Sequence, residues 1–303
     1  MSARRIFARP ARYAAIAPYL WMVLFFLIPF GFVVKISLSQ TAIAQPPYVP
    51  LFDLWAGREA TGAALDQLSL ANFRLLISDD IYVLSYLRSL TVALVATAFL
   101  LLIGYPVAYG MARLPQRWQA IAMMLVIVPF WTSFLIRIYA WMALLKANGI
   151  INGFLIWARA VDSPLTLMNT PFAVYLVMVY IYLPFMVLPL YANFQKLDET
   201  LLEAAADLGC PRWKTFFVVT LPLVLPGLAA GALLCFIPII GEFVIPDLLG
   251  SSQTLMIGQT LWTEFFANRD WPVASAIAVV LLVLLVVPIA FYENVQSRQI
   301  EER

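Results

Sequence analysis

The stretch Glu203–Gly227, EAAADLGCPRWKTFFVVTLPLVLPG, begins as a short polar helix and passes without a spacer into residues apolar enough for a membrane. Thr200 and Glu203 have the spacing of a capping box, so a helix is expected to start at Thr200. Three alanines, Ala204–Ala206, carry it on, Gly209 supplies a left-handed stop, and Pro211 suits the first turn of a second helix. The expected order is helix, tight turn, helix, then Leu221 and Pro222 at the membrane entrance. A helix with an alanine face has little bulk, so the groove of another protein can close around its backbone. That makes it a candidate docking peg.

The rest of the chain says where such a peg would sit. Of 303 residues, 63% are hydrophobic and 12% charged, a balance that belongs in a bilayer rather than in water. Apolar runs of spanning length recur at about 14–34, 89–112, 119–145, 172–193, 222–241 and 272–292. The chain is therefore expected to be an all-α, polytopic membrane protein with six transmembrane helices and both termini on one side. The segments on that side hold Arg4, Arg5, Arg9, Arg12, Arg113, Arg117, Lys196, Arg212, Lys214, Arg298 and Arg303, eleven of the nineteen basic residues. The opposite loops are longer and poorer in positive charge, so both termini and the 194–221 loop are expected in the cytoplasm. The first run follows four arginines but is too long for a secretory signal and lacks an Ala-x-Ala site, so it is read as a retained span.

Residues 37–86 form the long outer loop, with Pro46, Pro47 and Pro50 favouring extended chain and SLANFRLLI, Ser69–Ile77, expected as a surface helix. Prolines at 106, 129, 184, 189, 238 and 288 fall inside the spans and predict kinked, packed helices. Cys210 and Cys235 are separated by 25 residues of helix, too far to bond.

Several chemistries are excluded. With no histidine there is no His-based zinc site, Ser-His-Asp triad or histidine relay. Neither G-x-x-x-x-G-K-[ST] nor G-x-G-x-x-G occurs, so no nucleotide is expected on this chain by those routes. The net charge of +2 gives no support to nucleic-acid binding. No catalytic, cofactor-binding or metal residue is assigned, and no enzyme activity is expected.

The pattern Glu203, Ala204, Ala205, Gly209, Val219, Leu221, Pro222 resembles the cytoplasmic signature of ABC importer permeases, with Val219 where that signature has Ile. WTSFLIRIYAWM (Trp131–Met142), GEFVIPDLLG (Gly241–Gly250) and NRDWPVASA (Asn268–Ala276) are similar to the polyamine branch of these permeases, putrescine permeases first and spermidine permeases next. Ser251 departs from that branch, which continues with a second glycine. The resemblance implies a type I (MetI-like) fold, residues 1–303 forming one permease domain, in a bacterial inner membrane. It implies that Glu203, Ala204, Ala205, Leu208, Gly209 and Pro211 form the coupling helix that a separate ATPase subunit seats. The implied partners are two copies of that ATPase, which bind ATP with Mg, a second and different permease chain, a periplasmic polyamine-binding protein and membrane lipid.

Polyamines carry two or more ammonium groups, which hydrocarbon rejects unless carboxylates, carbonyls or ring faces meet them. Candidates for such a path are Glu242, Asp247, Glu264, Tyr139, Trp141, Tyr180 and Trp262, with Tyr182 and Asp270 beside them. Two plainer readings stand alongside. Glu242 and Arg137 fall near the outer ends of their spans and can pair with each other, and the rings can be an interfacial aromatic belt. A permease for another solute is the nearest rival, with Arg137 favouring an anion; a non-transporting membrane scaffold is the other.

Overall fold

A computed structural model describes residues 16–51, 62, 65–251 and 254–301. Arg4, Arg5, Arg9, Arg12 and Arg303, counted above for orientation, lie outside the described residues, as do residues 52–61 of the outer loop.

Among the described residues six helices are long and apolar enough to cross a membrane: Ile16–Ser37, Asp80–Ala112, Phe134–Trp157, Pro171–Phe194, Arg212–Ile240 and Trp271–Ala290. Ile16–Ser37 is α1. A two-residue hairpin follows, β1 (Gln40–Thr41) antiparallel to β2 (Tyr48–Val49) with Gln40 opposite Val49. The surface helix expected at 69–77 is α2 (Ala71–Ser78), with Leu76 buried and Ile77 exposed. Asn72 fastens it by donating to the carbonyls of Ser37 and Ser39, each at 2.8 Å.

The second span, α3 (Asp80–Ala112), is longer than the expected 89–112 because polar Asp80 and Ser85 begin the helix before the apolar run does. The third run, expected as one helix over 119–145, is divided into α4 (Gln116–Ile127) and α5 (Phe134–Leu145). Pro129 sits in the 3-10 turn Val128–Trp131 between them, and the extended backbone of Ser133 completes the break. Proline has no N–H for the helical ladder and clashes with the preceding turn, so the run cannot stay α-helical there. A short helix, α6 (Ile150–Trp157), continues the outer end.

Helix α7 (Pro171–Phe194) is the most buried span, with 56% of its apolar window inside the protein. Thr170 caps it by accepting from the Ala173 amide, and Pro171 fills the first turn, where a missing N–H does no harm. The hairpin between the fourth and fifth spans carries α8 (Glu199–Asp207) and runs into α9 (Arg212–Ile240). Helix α9 packs along α7 through Gly227 and Gly231, spaced as in a G-x-x-x-G face. A Cβ at Gly231 would stand 3.0 Å from the Met186 Sδ, and one at Gly227 would fall within the Asn193 side chain. Without lipid-against-water burial to drive it, this close approach is what holds the two spans. Short α10 (Val244–Leu249) and α11 (Ile257–Trp262) lead to α12 (Trp271–Glu301).

The chain forms two compact units: residues up to Val83 with Leu261–Val283, and Leu84–Thr260 with the residues from Leu284 on. In the first, Lys35 lies 4.4 Å from the Tyr48 ring and donates to the Pro50 carbonyl, tying α1 to the hairpin. In the second, Met178, Met186, Leu190, Ile239 and Ile240 form the core between α7 and α9. Cys210 and Cys235 are both free thiols.

Candidate functional site

The hairpin at α8 is built from local rules. Asp198, not Thr200, caps α8: its carboxylate accepts from the Thr200 amide at 3.0 Å. That contact, with a further one from the Thr200 side chain, holds the Asp198 carboxyl below its ordinary pKa. The expected Thr200–Glu203 capping box is therefore corrected. Asp198 has the shorter side chain and takes the first orphan amide two residues on, which starts the helix earlier and leaves Glu203 past the first turn and exposed.

At the other end, Cys210 N–H reaches the Ala205 carbonyl at 3.0 Å and Gly209 N–H reaches Ala206 at 2.9 Å, the paired bonds of a Schellman stop. Gly209 has φ +72°, the left-handed conformation the spacing predicts, and nothing within 4 Å of where a Cβ would be. Pro211 lies one position earlier than expected, as the N-cap of α9 rather than inside its first turn. Glu203, Ala204, Leu208 and Gly209 are exposed and Ala205 is half-buried. Leu208, an apolar residue at the tip, is 87% exposed. Behind the hairpin lies a cavity of about 600 Å3 lined by Tyr105, Tyr109, Arg113, Leu202, Arg212 and Phe216.

Beyond it, the first α-turn of α9, Arg212–Thr215, gives way to a π-helical segment, Phe216–Thr220, after which the Leu221 amide reaches the Phe216 carbonyl. Pro222 cannot donate, and the wider turn ahead of it accommodates the lost bond.

Between the fifth and sixth spans the acidic candidates have defined partners. Glu242 is 8% exposed. Its Oε2 accepts from the Tyr182 hydroxyl at 2.7 Å, and its Oε1 from the amides of Phe243 and Val244 at 3.1 and 3.0 Å. The carboxylate thus closes the turn between α9 and α10. It forms no ion pair with Arg137: among the described residues the single ion pair is Arg113 with Glu199, exposed and at 3.9 Å. Arg137 is buried against the rings of Phe130 and Phe134, 5.2 and 6.0 Å from its guanidinium carbon. A charged arginine at span depth is unfavourable by about 2.5–3.5 kcal/mol on insertion scales, and ring faces offset part of that.

Trp141 and Tyr180 meet edge to face at 5.4 Å and line a cavity of about 290 Å3 with Arg137. Tyr139 is 55% exposed and is not among that cavity's lining residues. Asp247 is exposed and accepts from Gln259 at 3.4 Å. In the other unit, Glu264 accepts from Tyr82 at 3.0 Å and Asn268 at 2.9 Å. Trp262 stacks on Phe266 at 4.2 Å, and Asp270 caps α12 through the Val273 amide while accepting from Thr41.

Sequence reading missed two polar ties. Gln119 accepts from Tyr191 and Gln195 and donates to the Ala112 and Leu114 carbonyls, joining the C-terminal ends of α3 and α7 to the start of α4. Ser89 accepts from the Ile257 amide at 2.8 Å. Isolated polar residues in or beside apolar runs are the signal for such ties, though not for which partner each finds.

The family description "binding-protein-dependent transport system inner membrane component" matches residues 101–300. The spermidine/putrescine transport system permease protein PotB of Escherichia coli (strain K12) is 44% identical over 207 residues, 68% of this chain and 75% of that protein. The protein of the same name from Haemophilus influenzae is 36% identical over 272 residues, covering 90% of this chain and 89% of its own. The inner membrane ABC transporter permease YdcU of E. coli is 33% identical over 258 residues, covering 80% and 82%. A solved bacterial ABC transporter that imports the acidic polysaccharide alginate shares the fold, with TM-score 0.64, 17% identity and 95% of both chains covered. So does the alginate transporter solved in complex with its alginate pentasaccharide-bound periplasmic protein, at TM-score 0.67 and 17% identity over 96% and 94%. These relatives are transport permeases and not enzymes. With six helices of spanning length and a family match over two thirds of its residues, the chain belongs to the inner membrane permease components of ABC importers and is a multi-pass inner membrane protein.

Proposed function

We propose that this chain is a permease subunit that carries polyamines, spermidine and putrescine, from periplasm to cytoplasm. The observation that carries the coupling half of the reading is the exposed hairpin at α8. Its alanine face, Glu203 and the 87% exposed Leu208 are presented together at a rigid left-handed stop, the form of an element that another protein grips. The substrate half is supported by the names of the PotB relatives. Those names join the two polyamines, so they give no support to placing putrescine permeases first, and the reading covers both.

In this reading two copies of an ATPase hold ATP and Mg, a second permease chain, different from this one, completes the pathway, and a periplasmic polyamine-binding protein delivers the solute. The alginate transporter, solved with its periplasmic protein, supports the last of these by analogy of fold. Both termini and α8 lie in the cytoplasm. Movement of the ATPase pair shifts α8, and the Schellman turn passes the shift to α9, whose π segment and Pro226 and Pro238 allow it to bend. ATP favours the state in which the ATPase pair is closed, and that differential affinity moves the equilibrium. Glu242, Asp247, Glu264, Tyr139, Trp141, Tyr180 and Trp262 are the proposed contacts for ammonium groups along the way.

One observation favours a second reading, a permease for an anionic solute: the buried guanidinium of Arg137 beside the Trp141–Tyr180 cavity. Uptake of labelled spermidine and putrescine by cells carrying the complete transporter, with and without this chain, tests both. Uptake that depends on the chain supports the polyamine reading. Unchanged uptake on deletion overturns it.

A further inference from the structure

We propose that Arg137 receives a carboxylate from a second permease chain, so that the cavity beside it is a subunit contact completed only in the assembled pair. The proposal rests on reading this chain as a permease subunit. Arg137 is 9% exposed, and its Nε and Nη1 are buried without a hydrogen-bond partner among the described residues. A guanidinium carries five donors and is never neutral, so two idle nitrogens buried in the protein call for an acceptor.

The chain's own carboxylates after the fifth span are otherwise engaged. Glu242 takes three donors of its own and Asp247 accepts from Gln259. The cavity of about 290 Å3 on Arg137, walled by Thr132, Ile136, Trp141 and Tyr180, admits one acidic side chain. Next to it Leu135, Ile136 and Tyr139 are 46, 64 and 55% exposed, an apolar flank on the same helix for the chain that brings the acid.

Other ligands fit less well. A polyamine seated on the guanidinium itself would meet like charge; the Trp141 and Tyr180 rings can meet ammonium groups only where that charge is neutralised by the partner's acid. A lipid phosphate presents its oxygens at headgroup level, whereas the Arg137 nitrogens are buried within the protein against the Phe130 and Phe134 rings. Removing one member of a desolvated charge pair weakens an interface strongly, because the other charge stays buried and unpaired.

The test uses the complete importer captured through a tag on this chain. Ile136→Cys, with Arg137 intact, should cross-link to the second permease when Asp or Glu positions of that chain's spans are replaced one at a time by Cys. Arg137→Glu and Arg137→Gln should lower the second permease recovered by about tenfold or more, Arg137→Lys should lose less, and Arg137→Glu should be rescued by an acid-to-Arg change at the cross-linked position. Wild-type recovery of the second permease with Arg137→Glu, together with no cross-link from Ile136→Cys, overturns the proposal. So does an intact pair that has lost uptake of an anionic solute. If the wild-type chain captures neither an ATPase nor a second permease, the permease-subunit reading fails first and takes this proposal with it.

Discussion

Tyr182 donates its hydroxyl hydrogen to Glu242 across 2.7 Å, joining the middle of α7 to the turn that ends α9. The bond is buried, and the same carboxylate also stops the first two amides after the turn from being orphaned. Tyr182→Phe removes one donor and leaves a buried carboxylate short of a partner, at an expected loss of about 1.5–3 kcal/mol. Thermal unfolding of the purified importer checks it; an unchanged midpoint would show that water replaces the hydroxyl.

Gly209 is open on all sides, so its requirement comes from backbone conformation alone. Gly209→Ala at φ +72° should be unfavourable by about 1–2 kcal/mol, and Gly209→Asn by less, since Asn tolerates the left-handed region. The order Gly, Asn, Ala should appear in the amount of ATPase that co-purifies, while the chain's level in the membrane stays constant.

Glu203 is exposed and takes no part in the cap, so its replacement tests docking without disturbing the helix end. Glu203→Arg should reduce ATPase association and uptake while leaving the chain's unfolding midpoint within the small range of ordinary surface substitutions. Retained association and uptake would remove Glu203 from the contact.

The Asp198 cap has a pH sign. Its carboxyl is held below the ordinary value by the Thr200 amide and then by the Thr200 side chain, so the cap is fully formed above the unfolded aspartate range near pH 4 and is lost as pH falls through the lower folded value. Hydrogen exchange at the Thr200 amide, corrected for its intrinsic pH dependence, should stay protected from neutral pH down to about 4 and lose protection below. Asp198→Asn should abolish that acid limb.

Gly227 packs where Asn193 turns back to donate to the Pro189 carbonyl at 2.9 Å. Gly227→Ala should therefore push Asn193 off its acceptor and weaken the α7–α9 contact by about 1–3 kcal/mol. Asn193→Ala together with Gly227→Ala should recover part of that loss, because the two changes share one space.

Spans and the hairpin's turn were legible from local chemistry. Length and hydropathy locate membrane helices because every unpaired backbone group in hydrocarbon is unfavourable, and Gly209 announces its φ because few other residues adopt it. The Gly227–Gly231 spacing was legible too and went unread. The division of the third run at Pro129 was only half visible: proline showed a kink, while the extended Ser133 beyond it arose from context.

What the sequence by itself determined is thus the class of the chain, its membrane helices and the helix-stop-helix turn between the fourth and fifth of them, all of which depend on near neighbours in the chain. What only the tertiary structure decided is who meets whom. Asp198 rather than Thr200 caps α8, Tyr182 rather than Arg137 meets Glu242, and Arg137 is left facing two phenyl rings. Residues such as Tyr182 and Glu242, 60 apart in the chain, come together by how α7 and α9 pack, and a hydrogen bond forms or fails over less than an ångström.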